Sequence, residues 1–166
     1  NCLTSIPHLV PSIEMKHMPG NSPKTILIIQ YNVVAEMLSA HSLLALLDHI
    51  DPKRYKAVVV FNRPCDAERA VAKRGIDTFV IPHGGGNLWK RIWEYGTLPI
   101  KLWFLTRRIK PSLIHADNVM AGRPAVVLGF MTGLPVIVHI RNIGLFTRTA
   151  VFVSRATHFA AVSKAT

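Results

Sequence analysis

The sequence predicts an α/β fold, a Rossmann-like parallel sheet of about six strands with helices on both faces. From Lys24 onward, short β-branched runs alternate with longer helical stretches, the order that builds βαβ units rather than hairpins. The strand runs are apolar throughout instead of alternating apolar with polar, as strands covered on both faces must be. The length, 166 residues, suits a single core.

Thr25 to Gln30 (TILIIQ) is the first strand, a central one by its continuous apolarity. Glu36 to Ile50 follows as a helix with a broad stripe of Leu38, Leu43, Leu44, Leu46, Leu47 and Ile50, and Asp51-Pro52 ends it because the residue before proline disfavours the helical region. Tyr55 to Phe61 is the second strand. Asp66 to Arg74 reads as a short helix capped by Asp66 and closed by Gly75, and Asp77 to Ile81 as the third strand, stopped by Pro82. Asn87 to Ile109 is helical with a break expected around Gly96 to Pro99. Leu113 to Ala116 is the fourth strand, Gly122 to Thr132 a helix of small and apolar residues, and Pro135 to Ile140 the fifth strand. A short basic helix near Thr147 to Arg155 leads to a sixth strand, His158 to Val162. Residues 1–23, with Pro7, Pro11, Pro19 and Pro23 and no apolar core like that of a signal peptide, read as a flexible tail, and residues 24–166 as the domain.

Composition narrows the function classes. Twenty Lys and Arg against nine Asp and Glu give +11, which favours an anionic partner: phosphate, nucleotide, lipid headgroup or nucleic acid. Hydrophobic residues at 49% and a mean hydropathy of +0.27 exclude a mostly disordered chain. Two cysteines, Cys2 and Cys65, cannot make a disulfide framework or a four-ligand zinc site, so a reducing, cytoplasmic setting is expected. The most apolar stretch, Ala125 to Val138, is interrupted by Gly129, Thr132, Gly133 and Pro135 and falls short of a membrane span.

In a doubly wound sheet the functional crevice lies beyond the carboxyl ends of the strands at the switch point. That rule selects Tyr31 to Glu36, Asp117 to Gly122 and Arg141 to Leu145. No G-x-G-x-x-G follows the first strand and no P-loop is present. Gly84-Gly85-Gly86 could cradle a phosphate, but after an off-centre strand it reads better as a connector. Glu36 and Asp117 alone among the carboxylates fall just after strands one and four; they suit acid/base work or hydroxyl binding, and equally a helix first turn and a cap. His115 and His139 lie inside strands and read as core residues; no metal site is expected. Arg141, a guanidinium leaving a central strand at its carboxyl end, suits a phosphate or carboxylate, with an ion pair to Asp117 as the rival role.

The segment from Leu88 to Lys110 interleaves Trp89, Trp93, Tyr95, Trp103 and Phe104 with Lys90, Arg91, Lys101, Arg107, Arg108 and Lys110 against a lone Glu94. Partly buried rings beside cations are what an anionic membrane surface selects. Trp89, Lys90, Arg91, Trp93, Arg107 and Arg108 are the expected contacts. Aromatics packed on the sheet with bases in water are the ordinary alternative. No recognised nucleic-acid motif accompanies the charge, so specific nucleic-acid binding is not expected.

Four segments together resemble the N-terminal half of a family 4 (group 1) glycosyltransferase of the GT-B fold: LLALLDHIDPKRYKAVVVF (43–61), IKPSLIHADNVMAG (109–122), GLPVIVHIRNI (133–143) and ATHFAAVSKAT (156–166). The resemblance runs from about Lys24 to the last residue, and it is the order and spacing of the pieces that carries it. It implies an acceptor-side domain facing a second, donor-binding domain that this chain lacks, and retaining, metal-independent transfer from a nucleoside-diphosphate sugar to a glycan or lipid-linked acceptor. No other cofactor is implied, and the chain alone is expected to be inactive. Carried over by position, Glu36, Asp117, Asn118, Asn142 and Ser163 would face the substrate cleft, with Arg141 as polariser or acceptor anchor. Val33 and Val34 stand where many relatives have a glycine pair, and Arg141 where many have histidine. The location implied is cytoplasmic, peripheral on the inner face of the cell membrane. A non-catalytic Rossmann-like module for a nucleotide or anionic metabolite is the alternative from another class.

Overall fold

The computed structural model describes residues 22–31, 36–83, 87–140 and 156–161. Six strands, β1 (Lys24–Gln30), β2 (Tyr55–Phe61), β3 (Asp77–Val80), β4 (Leu113–Ala116), β5 (Val136–Ile140) and β6 (His158–Ala161), form one sheet in the order β3-β2-β1-β4-β5-β6. Every neighbouring pair is parallel. Four helices, α1 (Glu36–His49), α2 (Asp66–Ala72), α3 (Leu88–Ile109) and α4 (Val119–Thr132), complete the described chain.

Strand β1 shows how the sequence builds two cores. Side chains alternate across a strand, so Leu27 and Ile29 join one cluster with Leu98 and Leu102 of α3 and Ala125 and Leu128 of α4. Ile28 joins the other, with Leu43 and Leu47 of α1 and Ala67 and Val71 of α2. The sheet is therefore a wall between an α1/α2 layer and an α3/α4 layer, which is why its central runs are apolar on both sides.

Three local expectations are corrected. The cap of α2 is Cys65, not Asp66: Cys65 is extended and its Sγ accepts from the Glu68 N–H at 3.4 Å, while Asp66 is already in the first turn and pairs with Arg69. The helix α4 begins at Val119 rather than Gly122, because Asn118 caps it through Oδ1 and the Ala121 N–H at 2.9 Å. Finally, α3 runs unbroken through Gly96 and Pro99. An interior proline costs a helix about 3 kcal/mol. Leu98 and Leu102 flank it and are almost wholly buried, and each such burial contributes about 1.5–3 kcal/mol, so packing on either side holds the turn in place. Gly133 ends α4 in the left-handed conformation at φ 71°, with its N–H on the Gly129 carbonyl at 2.8 Å.

Candidate functional site

Between β1 and β4 the chain order reverses: β2 and β3 extend the sheet to one side of β1, while β4, β5 and β6 extend it to the other. This is the switch point, and the carboxyl ends of both strands carry polar residues with little exposure. Asp117, directly after β4, is 0% exposed. Its N–H bonds to the Ile29 carbonyl at 3.0 Å, so the β1–β4 ladder continues one residue past the strand and fixes the carboxylate at the rim. A fully covered carboxylate lies beneath the rim and not on an open surface. Asn118 serves two elements at once, since its Nδ2 donates to the Tyr31 carbonyl at 2.8 Å while its Oδ1 caps α4. The loop leaving β1 is thereby tied to the first turn of α4, whose N-terminal N–H groups face the same end of the sheet.

The rim extends further than Asp117 and Asn118. Gln30 closes β1 with no exposure, Asn62 follows β2 and His83 follows β3, both buried. His83 makes its Nδ1 contact with the Ile81 carbonyl at 2.7 Å. A carbonyl only accepts, so Nδ1 carries a proton. Its ring lies 5.3 Å from that of Tyr31, and its N–H bonds to the Asn62 carbonyl at 3.4 Å. Gln30, Asn62 and His83 were not among the residues expected from sequence. The signal for them is a polar residue set directly after an apolar strand run, at Phe61-Asn62 and Ile81-Pro82-His83.

Of the expected site residues, Asp117 and Asn118 are brought together at the switch point. Glu36 opens α1; its side chain, and Arg141, Asn142 and Ser163 as whole residues, lie outside the described part, as do Gly84 to Gly86, the helix expected near Thr147 to Arg155, and Val162. Asn118, not Asp117, is the cap of α4. His115 is buried and His139 half-buried inside their strands, with ring centroids 6.2 Å apart. Trp89 and Trp93 are exposed, as are Arg107 and Arg108; the side chains of Lys90 and Arg91 lie outside the described part. Among the described residues, no three His, Cys, Asp or Glu side chains group to hold a metal ion, and no helix is long and apolar enough to cross a membrane.

A six-stranded all-parallel sheet with a polar rim at its β1/β4 switch point defines a Rossmann-like domain, and its architecture is that of one half of a GT-B glycosyltransferase fold. The chain is similar to MurG of Acinetobacter baumannii at a TM-score of 0.62 and 11% identity, over 87% of this chain and 43% of that one. It is similar to Anabaena Alr3699/HepE in complex with UDP-glucose at 0.59 and 17%, over 82% and 35%. The apo form of the lipopolysaccharide outer core galactosyltransferase WaaB gives 0.59 and 11%, over 84% and 40%. The chain thus spans less than half the length of each. No protein-family model matches the chain, and no curated protein matches it in sequence.

Proposed function

We propose that this chain is the N-terminal, acceptor-side domain of a family 4 glycosyltransferase of the GT-B fold. The intact enzyme would move a sugar, with retention and without a metal, from a nucleoside-diphosphate sugar to a glycan or lipid-linked acceptor. The observation that carries the reading is the covered Asp117 carboxylate held at the β1/β4 rim, where doubly wound sheets receive their ligands. The structurally similar proteins include a galactosyltransferase and a protein solved with UDP-glucose, which supports a nucleotide sugar as donor.

On this reading the half-buried Tyr31 and Asn118 line the acceptor side. Asp117 is a positioning residue that acts from beneath the rim through the groups above it. Arg141 anchors the acceptor or stabilises developing negative charge; it does not transfer protons, since guanidinium stays charged. Glu36, Asn142 and Ser163 complete the proposed acceptor contacts. The second domain supplies the donor site, so the chain alone is inactive.

The test is transfer from nucleoside-diphosphate sugars by a gene product that includes a second domain. Arg141→Ala should lower turnover about 10²-fold, the usual effect of removing one electrostatic stabiliser. Asp117→Asn should lower it with folding retained. Unchanged turnover in Arg141→Ala removes that residue from the site. Nucleotide binding by this chain alone, with no transfer by the longer product, would favour the non-catalytic module.

A further inference from the structure

At the end of the sheet away from the rim, β4 and β5 begin where α3 and α4 end, at Lys110-Pro111-Ser112 and Gly133-Leu134-Pro135. The two helices pack on one another, so their last turns meet beside the amino ends of these strands. Between them lies a cavity of about 450 Å³, within the roughly 300–1,000 Å³ of small-molecule sites. Trp103 and Met131 give it an apolar wall, Thr106 and Thr132 give it hydroxyls, and Arg107 and Lys110 give it cations. Both hydroxyls spend their protons on their own helices, Thr106 on the Trp103 carbonyl and Thr132 on the Leu128 carbonyl, each at 2.7 Å. Toward the cavity they are left as acceptors.

Lys110 stands where a lysine is costly. It follows α3 with φ 48°, and its N–H bonds to the Thr106 carbonyl at 2.8 Å, so it fills the left-handed closing position that glycine ordinarily takes. Among the described residues the other positive φ values belong to Gly75 and Gly133. A side chain in this conformation strains the backbone, and such strain persists where the surroundings use it. Here the side chain lines the cavity. Arg107, three residues earlier, lies over the Trp103 ring at 5.5 Å. Neither cation is in an ion pair among the described residues. From Asn87 to Ile140 the acids are Glu94 and Asp117, and Asp117 is covered at the opposite end of the sheet. Complementing the helix dipole does not explain Lys110, because Arg107 and Arg108 already stand in the last turn of α3.

We infer that this cavity binds a small, soluble aromatic phosphate monoester, its ring against Trp103 and Met131 and its phosphate on Arg107 and Lys110. Charge and shape choose the class. Two cations without a carboxylate match the nearly double charge of a phosphate monoester better than the single charge of a carboxylate. The guanidinium fork takes two phosphate oxygens while the ammonium acts as a point charge. An indole and a thioether favour a flat ring, and the two threonine oxygens accept from polar hydrogens on it. The inference goes beyond the glycosyltransferase reading and uses none of the residues at the sheet rim.

The experiment is titration calorimetry of the chain with naphthyl phosphate, against naphthol, inorganic phosphate and naphthalenesulfonate, which carry the ring alone, the phosphate alone and the ring with a single charge. Naphthyl phosphate should bind at least about tenfold more tightly than each of the three, as one charge-assisted contact implies. Lys110→Gly should lower its affinity about tenfold or more while the Tm holds or rises, because glycine suits the left-handed position. Arg107→Gln should lower it as much. Arg123→Gln, which removes an exposed cation of α4 outside the cavity, and Asp117→Asn at the rim should leave it unchanged. Absence of binding, equal affinity for naphthyl phosphate and inorganic phosphate, or equal losses in the three cation variants overturns the inference, the last by reducing the binding to overall charge. So does a loss in Asp117→Asn with Lys110→Gly unaffected, which would move the ligand to the rim.

Discussion

The α1/α2 layer meets solvent with ion pairs, and the α3/α4 layer meets it with rings. Arg74 of the first layer donates from Nε to Asp48 at 2.9 Å, Asp66 pairs with Arg69, and Lys56 pairs with Asp77 at 2.8 Å on the strands beside them. Six of the nine carboxylates fall between Glu36 and Asp77. The second layer places Trp89, Trp93, Phe104 and Phe130 outward, at 79%, 73%, 64% and 91% exposure. Inside, the layers are alike: Leu43 and Leu47 in one, Leu98 and Leu102 in the other, all against the same strands. Folding therefore needs only the inner faces, which leaves the outer faces free to differ.

Substitutions can break this contrast or sharpen it. The largest effect is expected inside, where the layers should behave alike: Leu102→Ala and Leu43→Ala each remove a fully buried side chain and should each cost about 2–5 kcal/mol in urea unfolding. A clearly smaller loss in one layer would mean that it opens independently. Next is Gly129→Ala. A Cβ there would stand 2.3 Å from Cγ2 of buried Val136 and 3.2 Å from the Leu134 carbonyl oxygen, and a β-branched neighbour cannot rotate away. The overpacking should cost about 1–3 kcal/mol, seen as a lower Tm. Asn118→Ala should cost about 1 kcal/mol for the lost cap and release the Tyr31 tie, so hydrogen exchange should rise at the Ala121 amide.

The smallest effect sharpens the outer contrast. Arg74 holds the Asp48 carboxyl below its ordinary range, chiefly by its hydrogen bond, which outweighs the opposing effect of burial, with its charge adding a lesser share. A depressed carboxylate pKa gives stability that is present at neutral pH and lost as pH falls below about 4, through the folded-state value. The Tm gap between the native chain and Arg74→Met should therefore be small at pH 7, shrink in salt and vanish once the pH lies below the folded-state value. A gap that persists in acid would show that Arg74 acts by packing and not by charge.

Much of this molecule is legible in its sequence. The β1–α1–β2 unit follows from one apolar run, one helical stripe and Asp51-Pro52, and the placement of Asp117 and Asn118 follows from the switch-point rule once six strands are counted. The continuity of α3 was not legible, because the penalty of Pro99 is visible locally while the burial of Leu98 and Leu102 that offsets it is a tertiary fact. The Cys65 cap was hidden by a better-known capping residue one position later. Gln30, Asn62 and His83 were missed because the local signal, a polar residue at the end of an apolar run, gains its meaning only from where the neighbouring strands end.

The middle of the sheet joins pieces distant along the chain: Ile26 of β1 pairs with Leu113 of β4, whereas its other neighbour, Ala57 of β2, follows after a single helix. During synthesis β1 and β2 can associate while the flank awaiting β4 is still bare, an edge of Ile and Leu with unfilled backbone donors and acceptors. Loop closure over so long a separation is slow. The nascent chain thus passes through a stage at which self-association competes with completion of the sheet, and a holding chaperone at that stage would raise its yield.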